Sequence, residues 1–131
     1  MGKKIQVMIV DDQKSIRGFL RSIIESIGAE VVTEAENGEI AVKNYKLYKP
    51  HLVLMDINMP HMDGMEALIQ IIKLNPKALV IMLTSLDSGD MIQQCIENGA
   101  RNFLLKSNPP DEIASEIKES WADYVADLKA G

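Results

Sequence analysis

His51-Leu52-Val53-Leu54-Met55-Asp56-Ile57-Asn58-Met59-Pro60 is the stretch that decides the fold. Residues 52–55 are apolar without alternation, the pattern of a strand buried on both faces of a parallel sheet. The run ends in one carboxylate, Asp56, and a turn with Pro60, Asp63 and Gly64 follows. Open α/β sheets bind their ligands at the carboxyl edge, where this acid falls. Capping the next helix is a job better suited to Asp63, so Asp56 reads as a chemical group.

The flanking segments repeat the pattern. Residues 5–10 predict a first buried strand running into Asp11-Asp12. Ile16, Phe19, Leu20, Ile23, Ile24 and Ile27 recur three and four apart, as on one face of a helix, and Gly28 supplies its stop. Residues 30–35 predict a second strand. Asn37 caps a helix with Ile40, Ala41, Tyr45 and Tyr48 on its apolar face, ending before Pro50. After the Asp56 strand, Asp63-Gly64-Met65-Glu66 approaches a capping box. That helix runs through Leu68, Ile69 and Ile72 and stops near Asn75-Pro76.

Residues 78–83 predict a fourth strand, ending in Thr84-Ser85. Asp87-Ser88-Gly89-Asp90 opens a short helix that closes at Asn98-Gly99. Residues 102–105 form the fifth strand and end in Lys106. The last helix starts around Pro109-Pro110 and carries Ile113, Ile117, Trp121, Tyr124, Val125 and Leu128. Five strands alternating with five helices predict an α/β, doubly wound (βα)5 fold: a five-stranded parallel sheet with right-handed crossovers. One domain over residues 1–131 is expected, with its core at about 5–128.

Composition agrees. The 131 residues suffice for one core, and 47% apolar with 25% charged residues is ordinary for a globular domain. No apolar run has the length of a membrane span, and Met1-Gly2-Lys3-Lys4 leads into a strand rather than a signal peptide. Cys95 is the one cysteine, so no intrachain disulfide can form and a reducing, cytoplasmic setting is expected. A net charge of −5 argues against nonspecific nucleic-acid binding. His51 and His61 have no metal-ligand spacing and read as surface residues.

In a parallel sheet all strand C-termini share one edge. Four of these five end in Asp11-Asp12, Asp56, Thr84 and Lys106. Singly, each has a bland reading as a cap, a strand residue or a solvated charge; together they describe a chemistry. Carboxylates about 4 Å apart repel by roughly 4 kcal/mol at an effective dielectric near 20. Mg²⁺, which takes a few carboxylates plus a phosphate oxygen, relieves that repulsion. A carboxylate can be the nucleophile toward phosphorus, and phosphoryl transfer asks for alignment and charge neutralisation. Mg²⁺, the Lys106 ammonium and the Thr84 hydroxyl would each serve one phosphoryl oxygen. No Gly-rich phosphate cradle is present, so a bound nucleotide donor is not expected.

In this order and spacing, Asp11-Asp12, Asp56 with Met59-Pro60 and Asp63-Gly64, Thr84-Ser85 and Lys106 carry a resemblance. The chain resembles the receiver domains of bacterial two-component response regulators, of the chemotaxis-protein Y type, over about residues 5–128. The resemblance implies a flavodoxin-like strand order 2-1-3-4-5. It implies Asp56 as phosphoacceptor from the phosphohistidine of a sensor histidine kinase, with Mg²⁺ (or Mn²⁺) as cofactor. Asp12 and Asp56 would bind the metal directly, Asp11 mainly through water, and Asn58 through its backbone carbonyl. Thr84 and Lys106 would contact the phosphoryl group. Thr84 and Phe103 would form the switch, changing the surface of the fourth helix, fifth strand and fifth helix for a downstream effector protein or a phosphorylation-dependent dimer.

The chain would catalyse only its own phosphorylation and dephosphorylation, with no membrane and no direct nucleic-acid contact. Other roles within the resemblance are the receiver head of a DNA-binding regulator and a phosphorelay shuttle.

Three departures stand out. Lys106 is followed by Ser107 where the family usually has proline; a cis bond there would cost about 3 to 4 kcal/mol, so trans is expected. Phe103 replaces the frequent tyrosine and offers no hydroxyl. Leu86, apolar beside the route of an attacking water, suggests a moderately long phosphoryl lifetime. Met59, Met62 and Met65 follow the site and suit either packing or an adaptable partner surface. Trp121, Tyr124 and Leu128 pack against the first helix and strand edge, or join a partner face with the fourth helix and fifth strand. A Mg²⁺-dependent phosphohydrolase would want an acid where Asn58 stands, and an FMN module a Ser/Thr/Gly loop where Asp11-Asp12 stand.

Overall fold

The computed structural model describes residues 4–85 and 89–130. Leu86 and the Asp87-Ser88 half of the polar turn lie outside the described residues. The elements follow in strict alternation: β1 (Gln6–Val10), α1 (Lys14–Ser26), β2 (Glu30–Ala35), α2 (Gly38–Tyr48), β3 (Leu52–Asp56), α3 (Gly64–Leu74), β4 (Val80–Thr84), α4 (Gly89–Glu97), β5 (Asn102–Leu105) and α5 (Pro110–Ala130). All four strand pairings are parallel, in the order β2-β1-β3-β4-β5.

The apolar runs separate by side-chain parity into two cores. Met8, Val10, Val53, Met55, Val80 and Met82 face α2, α3 and α4. Val7, Ile9, Leu52, Leu54, Ile81 and Leu83 face α1 and α5. Every residue of β3 and β4 is buried, as the unbroken apolar runs require of central parallel strands.

Helix ends follow their local signals. The Asn37 side chain accepts from the Ile40 N–H at 2.9 Å, and Asp63 from the Glu66 N–H at 2.9 Å. The α3 capping box is half made, because the Glu66 carboxylate accepts instead from Gln70 Nε2. Gly28 (φ +83°) and Gly99 (φ +107°) take the left-handed conformation that ends α1 and α4. Phe19 and Tyr48, assigned above to apolar helix faces, lie partly in solvent at 37% and 50% exposure. No described peptide bond is cis, Lys106–Ser107 included.

Trp121 and Tyr124 belong to the amino edge of the sheet. Trp121 packs on the α1/α5 core and stands 6.1 Å from the His51 ring. The Tyr124 hydroxyl donates to the Lys77 carbonyl. For Trp121 and Tyr124 that is the packing alternative, whereas Leu128 stays 45% exposed.

Candidate functional site

Parallel pairing delivers the strand ends to one place. Asp11 directly follows β1, its N–H donating to the Ala35 carbonyl at 3.0 Å. Asp56 is the last residue of β3, and Thr84 the last of β4. The Lys106 N–H donates to the Thr84 carbonyl at 2.8 Å, extending the β4–β5 ladder by one residue and bringing the lysine over the site. Asp11, Asp56 and Thr84 are buried, whereas Asp12 is exposed.

Asp11, Asp12 and Asp56 each offer a carboxylate oxygen within 4.8 Å of the others. Lys106 Nζ lies 2.5 Å from Asp11 Oδ2 and 3.1 Å from Asp56 Oδ1. Asp11 Oδ1 accepts from the Gln13 N–H at 2.9 Å, but Oδ2 is buried with no hydrogen bond beyond that ion contact. One ammonium against three carboxylates leaves net negative charge, which the site must tolerate or neutralise. The cost shows on Asp56. Burial, and next to it the Asp11 charge, push its carboxyl above the usual range despite the opposing pull of Lys106. Lys106 loses some basicity to burial, but Asp11 and Asp56 more than restore it and hold the ammonium charged.

The buried Asp11 oxygen and the three converging carboxylates are all hard oxygen donors, a set that fits Mg²⁺ or Mn²⁺. Asn58, exposed, follows on the same loop. Gly64 fixes that loop. Its N–H donates to the Ile57 carbonyl at 2.8 Å, and a Cβ there would fall 1.9 Å from the Asp56 carbonyl oxygen. Gly38 anchors the other side through its N–H to the Met62 carbonyl, at 2.8 Å. Met59, Met62 and Met65 are half-buried against the α2/α3/α4 core. Phe103 is half-buried on the same face, paired in register with Met82. His51 and His61 are exposed; His51 Nδ1 accepts from the Gln6 N–H.

One charged group beside the site carries no local mark in the sequence. Arg17 Nη1 donates to the Asp11 carbonyl at 2.8 Å while its Nε pairs with Glu34 Oε1 at 2.8 Å, and Arg21 joins the same carboxylate. The two arginines outweigh burial and hold the Glu34 carboxyl below its usual range. Arg17 and Arg21 lie four apart on α1, but nothing local in the sequence pairs them with Glu34 on β2.

Fold and site together define a class: a doubly wound α/β module with a carboxylate–ammonium cluster at its carboxyl edge. The response regulator receiver domain family matches residues 7–118, and the chain belongs to that family. It is 39% identical over 116 residues to the chemotaxis protein CheY of Listeria monocytogenes, covering 88% of this chain and 98% of that one. CheY of Thermotoga maritima is 39% identical over 119 residues, covering 91% and 98%. Among solved structures, the CheX-CheY-BeF3-Mg complex from Borrelia burgdorferi superposes with a TM-score of 0.87 at 30% identity, covering 89% of each chain. The chain is thus a receiver domain of two-component response regulators, a signalling module of a family phosphorylated on aspartate. Among the described residues, no helix is long and apolar enough to cross a membrane.

Proposed function

We propose that Asp56 is the phosphoacceptor and that residues 1–131 act as one receiver unit of a two-component system in the cytoplasm. The observation that carries the reading is the convergence of three carboxylates within 4.8 Å, with Lys106 bridging two of them. An Asp56 oxygen attacks the phosphorus of a histidine kinase's phosphohistidine. The O–P bond forms as the N–P bond breaks, and the freed imidazole leaves to take up a proton. Asp12, Asp56 and the Asn58 carbonyl would hold Mg²⁺ or Mn²⁺ directly, and Asp11 mainly through water. When bound, the cation neutralises charge on the carboxylates and on one phosphoryl oxygen.

Lys106 turns its ammonium from the carboxylates to a second phosphoryl oxygen, and Thr84 donates its hydroxyl to a third. The inward pull on Thr84 and the movement of Phe103 bias the α4–β5–α5 surface between two populations. Ile96, 47% exposed on α4, gives that surface an apolar contact for an effector or a second copy. Hydrolysis of the acyl phosphate returns the domain to its resting state.

Hydroxylamine tests the linkage, since it cleaves acyl phosphates and spares phosphoserine. Label acquired from acetyl phosphate with Mg²⁺ should be discharged by it. Label that resists would place the phosphoryl group on another side chain and overturn the assignment.

A further inference from the structure

At the amino edge of the sheet, opposite the carboxylate cluster, lies a groove of about 540 Å³, a volume typical of small-molecule sites. It exists because α5 outruns the sheet. Its 21 residues span about 31 Å at 1.5 Å each, against about 17 Å for a five-residue strand. The overhang is pinned by the Tyr124 hydroxyl on the Lys77 carbonyl and by Arg101, 5.6 Å over the Tyr124 ring. The rings of Tyr45, Trp121 and Tyr124 line the space, and Leu74 and Leu128 leave 47% and 45% of their surface exposed at its margin.

The polar complement of the groove has one sign. Lys46, Lys49 and His51 line it, and none of its twelve lining residues is acidic, in a chain with 19 acids against 14 lysines and arginines. Among the described residues neither lysine has an ion pair; Asp127, on the same end of α5, is taken up by Arg101 at 2.5 Å. His51 Nδ1 accepts from the Gln6 N–H, which leaves Nε2–H as a donor. The Tyr45 oxygen accepts from Asn75 Nδ2 at 3.0 Å, so its own hydrogen is available to donate. Two ammonium groups and two neutral donors beside three aromatic rings match an anion with an apolar body.

We propose that this groove is a second ligand site, taking a small amphipathic organic anion: an aryl or alkyl body bearing one sulfonate or carboxylate. The rings hold the body, and Lys46, Lys49 and His51 hold the charge. The site lies at the opposite edge of the sheet from Asp56 and stands independently of the phosphoacceptor reading.

Trp121, the one tryptophan in the chain, is a built-in reporter. The probe is 8-anilinonaphthalene-1-sulfonate, titrated into the full chain and read by energy transfer from Trp121. Its uncharged counterpart, N-phenyl-1-naphthylamine, serves as the comparison. Saturable one-to-one binding is expected, at least tenfold weaker for the neutral dye and for the Lys46→Gln/Lys49→Gln double variant. Exposed Lys43→Gln should bind like wild type, and Leu128→Glu, which sets an acid at the margin, should lose binding. Absence of saturable transfer would overturn the proposal, as would equal affinity for the two dyes or an unchanged affinity in the double variant. The last result would mean that the dye uses the smaller cavity of about 240 Å³ that Trp121 and Lys118 line instead.

Discussion

At the scale of single residues, function and stability pull apart at Asp56. Its carboxyl is held above the ordinary range, so the folded protein binds this proton more tightly than the unfolded chain does. The ionised form therefore costs stability at neutral pH. Asp56→Asn should raise Tm at pH 7 in metal-free buffer, by about 3 °C for each kcal/mol recovered in a chain of this size. A lower Tm in differential scanning calorimetry would mean that the Lys106 contact dominates. Mg²⁺ should raise the wild-type Tm more than that of the variant.

Glu34 has the opposite sign. The arginines depress its folded pKa despite burial, so its contribution is complete above the ordinary carboxylate range and fades as pH falls through the depressed value. Glu34→Gln should cost about 1 kcal/mol at pH 7 and less as pH falls below the ordinary carboxylate range, measured by urea unfolding at pH 7 and pH 3. A cost unchanged at pH 3 would remove the ion-pair explanation. The site acids were legible in the sequence because each ends an apolar run. The Arg17–Glu34–Arg21 cluster was not, since charged residues on a helix and an edge strand look like ordinary solvated surface until the sheet sets them side by side.

Single elements are legible where a local signal fixes them. Asn37 and Asp63 cap α2 and α3, and Gly28 ends α1, because side-chain oxygens and left-handed glycine act within a few residues. Gly64 belongs to another category. Its need arises from the close approach of α3 to the backbone of Asp56, a contact outside the reach of periodicity. Gly64→Ala should force α3 off that backbone, cost about 3 kcal/mol in chemical denaturation and slow phosphorylation of Asp56. Wild-type stability in that variant would contradict the close packing. The half-made capping box shows the limit of motif reading, since Glu66 finds Gln70 one turn ahead and leaves the cap to Asp63 alone. Tyr48 likewise sits at helical spacing yet half in water, while Tyr45 in the same turn is buried in the core.

At the scale of the molecule, alternation of buried strands and amphipathic helices leaves few topologies, and the observed order β2-β1-β3-β4-β5 was expected from the resemblance. Parallel strands then do the functional assembly, since Asp11, Asp56, Thr84 and Lys106 are far apart in sequence and adjacent at one edge. The aromatic end of α5 was harder to place. Periodicity locates Trp121 and Tyr124 on the inward face but does not say which neighbour they meet, and they meet the amino edge of the sheet.

We propose above that this edge accepts a phosphoryl group on Asp56 with help from a divalent cation. Intact-mass spectrometry after incubation with acetyl phosphate and Mg²⁺ tests it directly, beside Asp56→Asn, Asp12→Asn and an EDTA control. The wild type with metal should gain one phosphoryl group, Asp56→Asn none, and Asp12→Asn or the EDTA sample little. An equal gain in Asp56→Asn would contradict it.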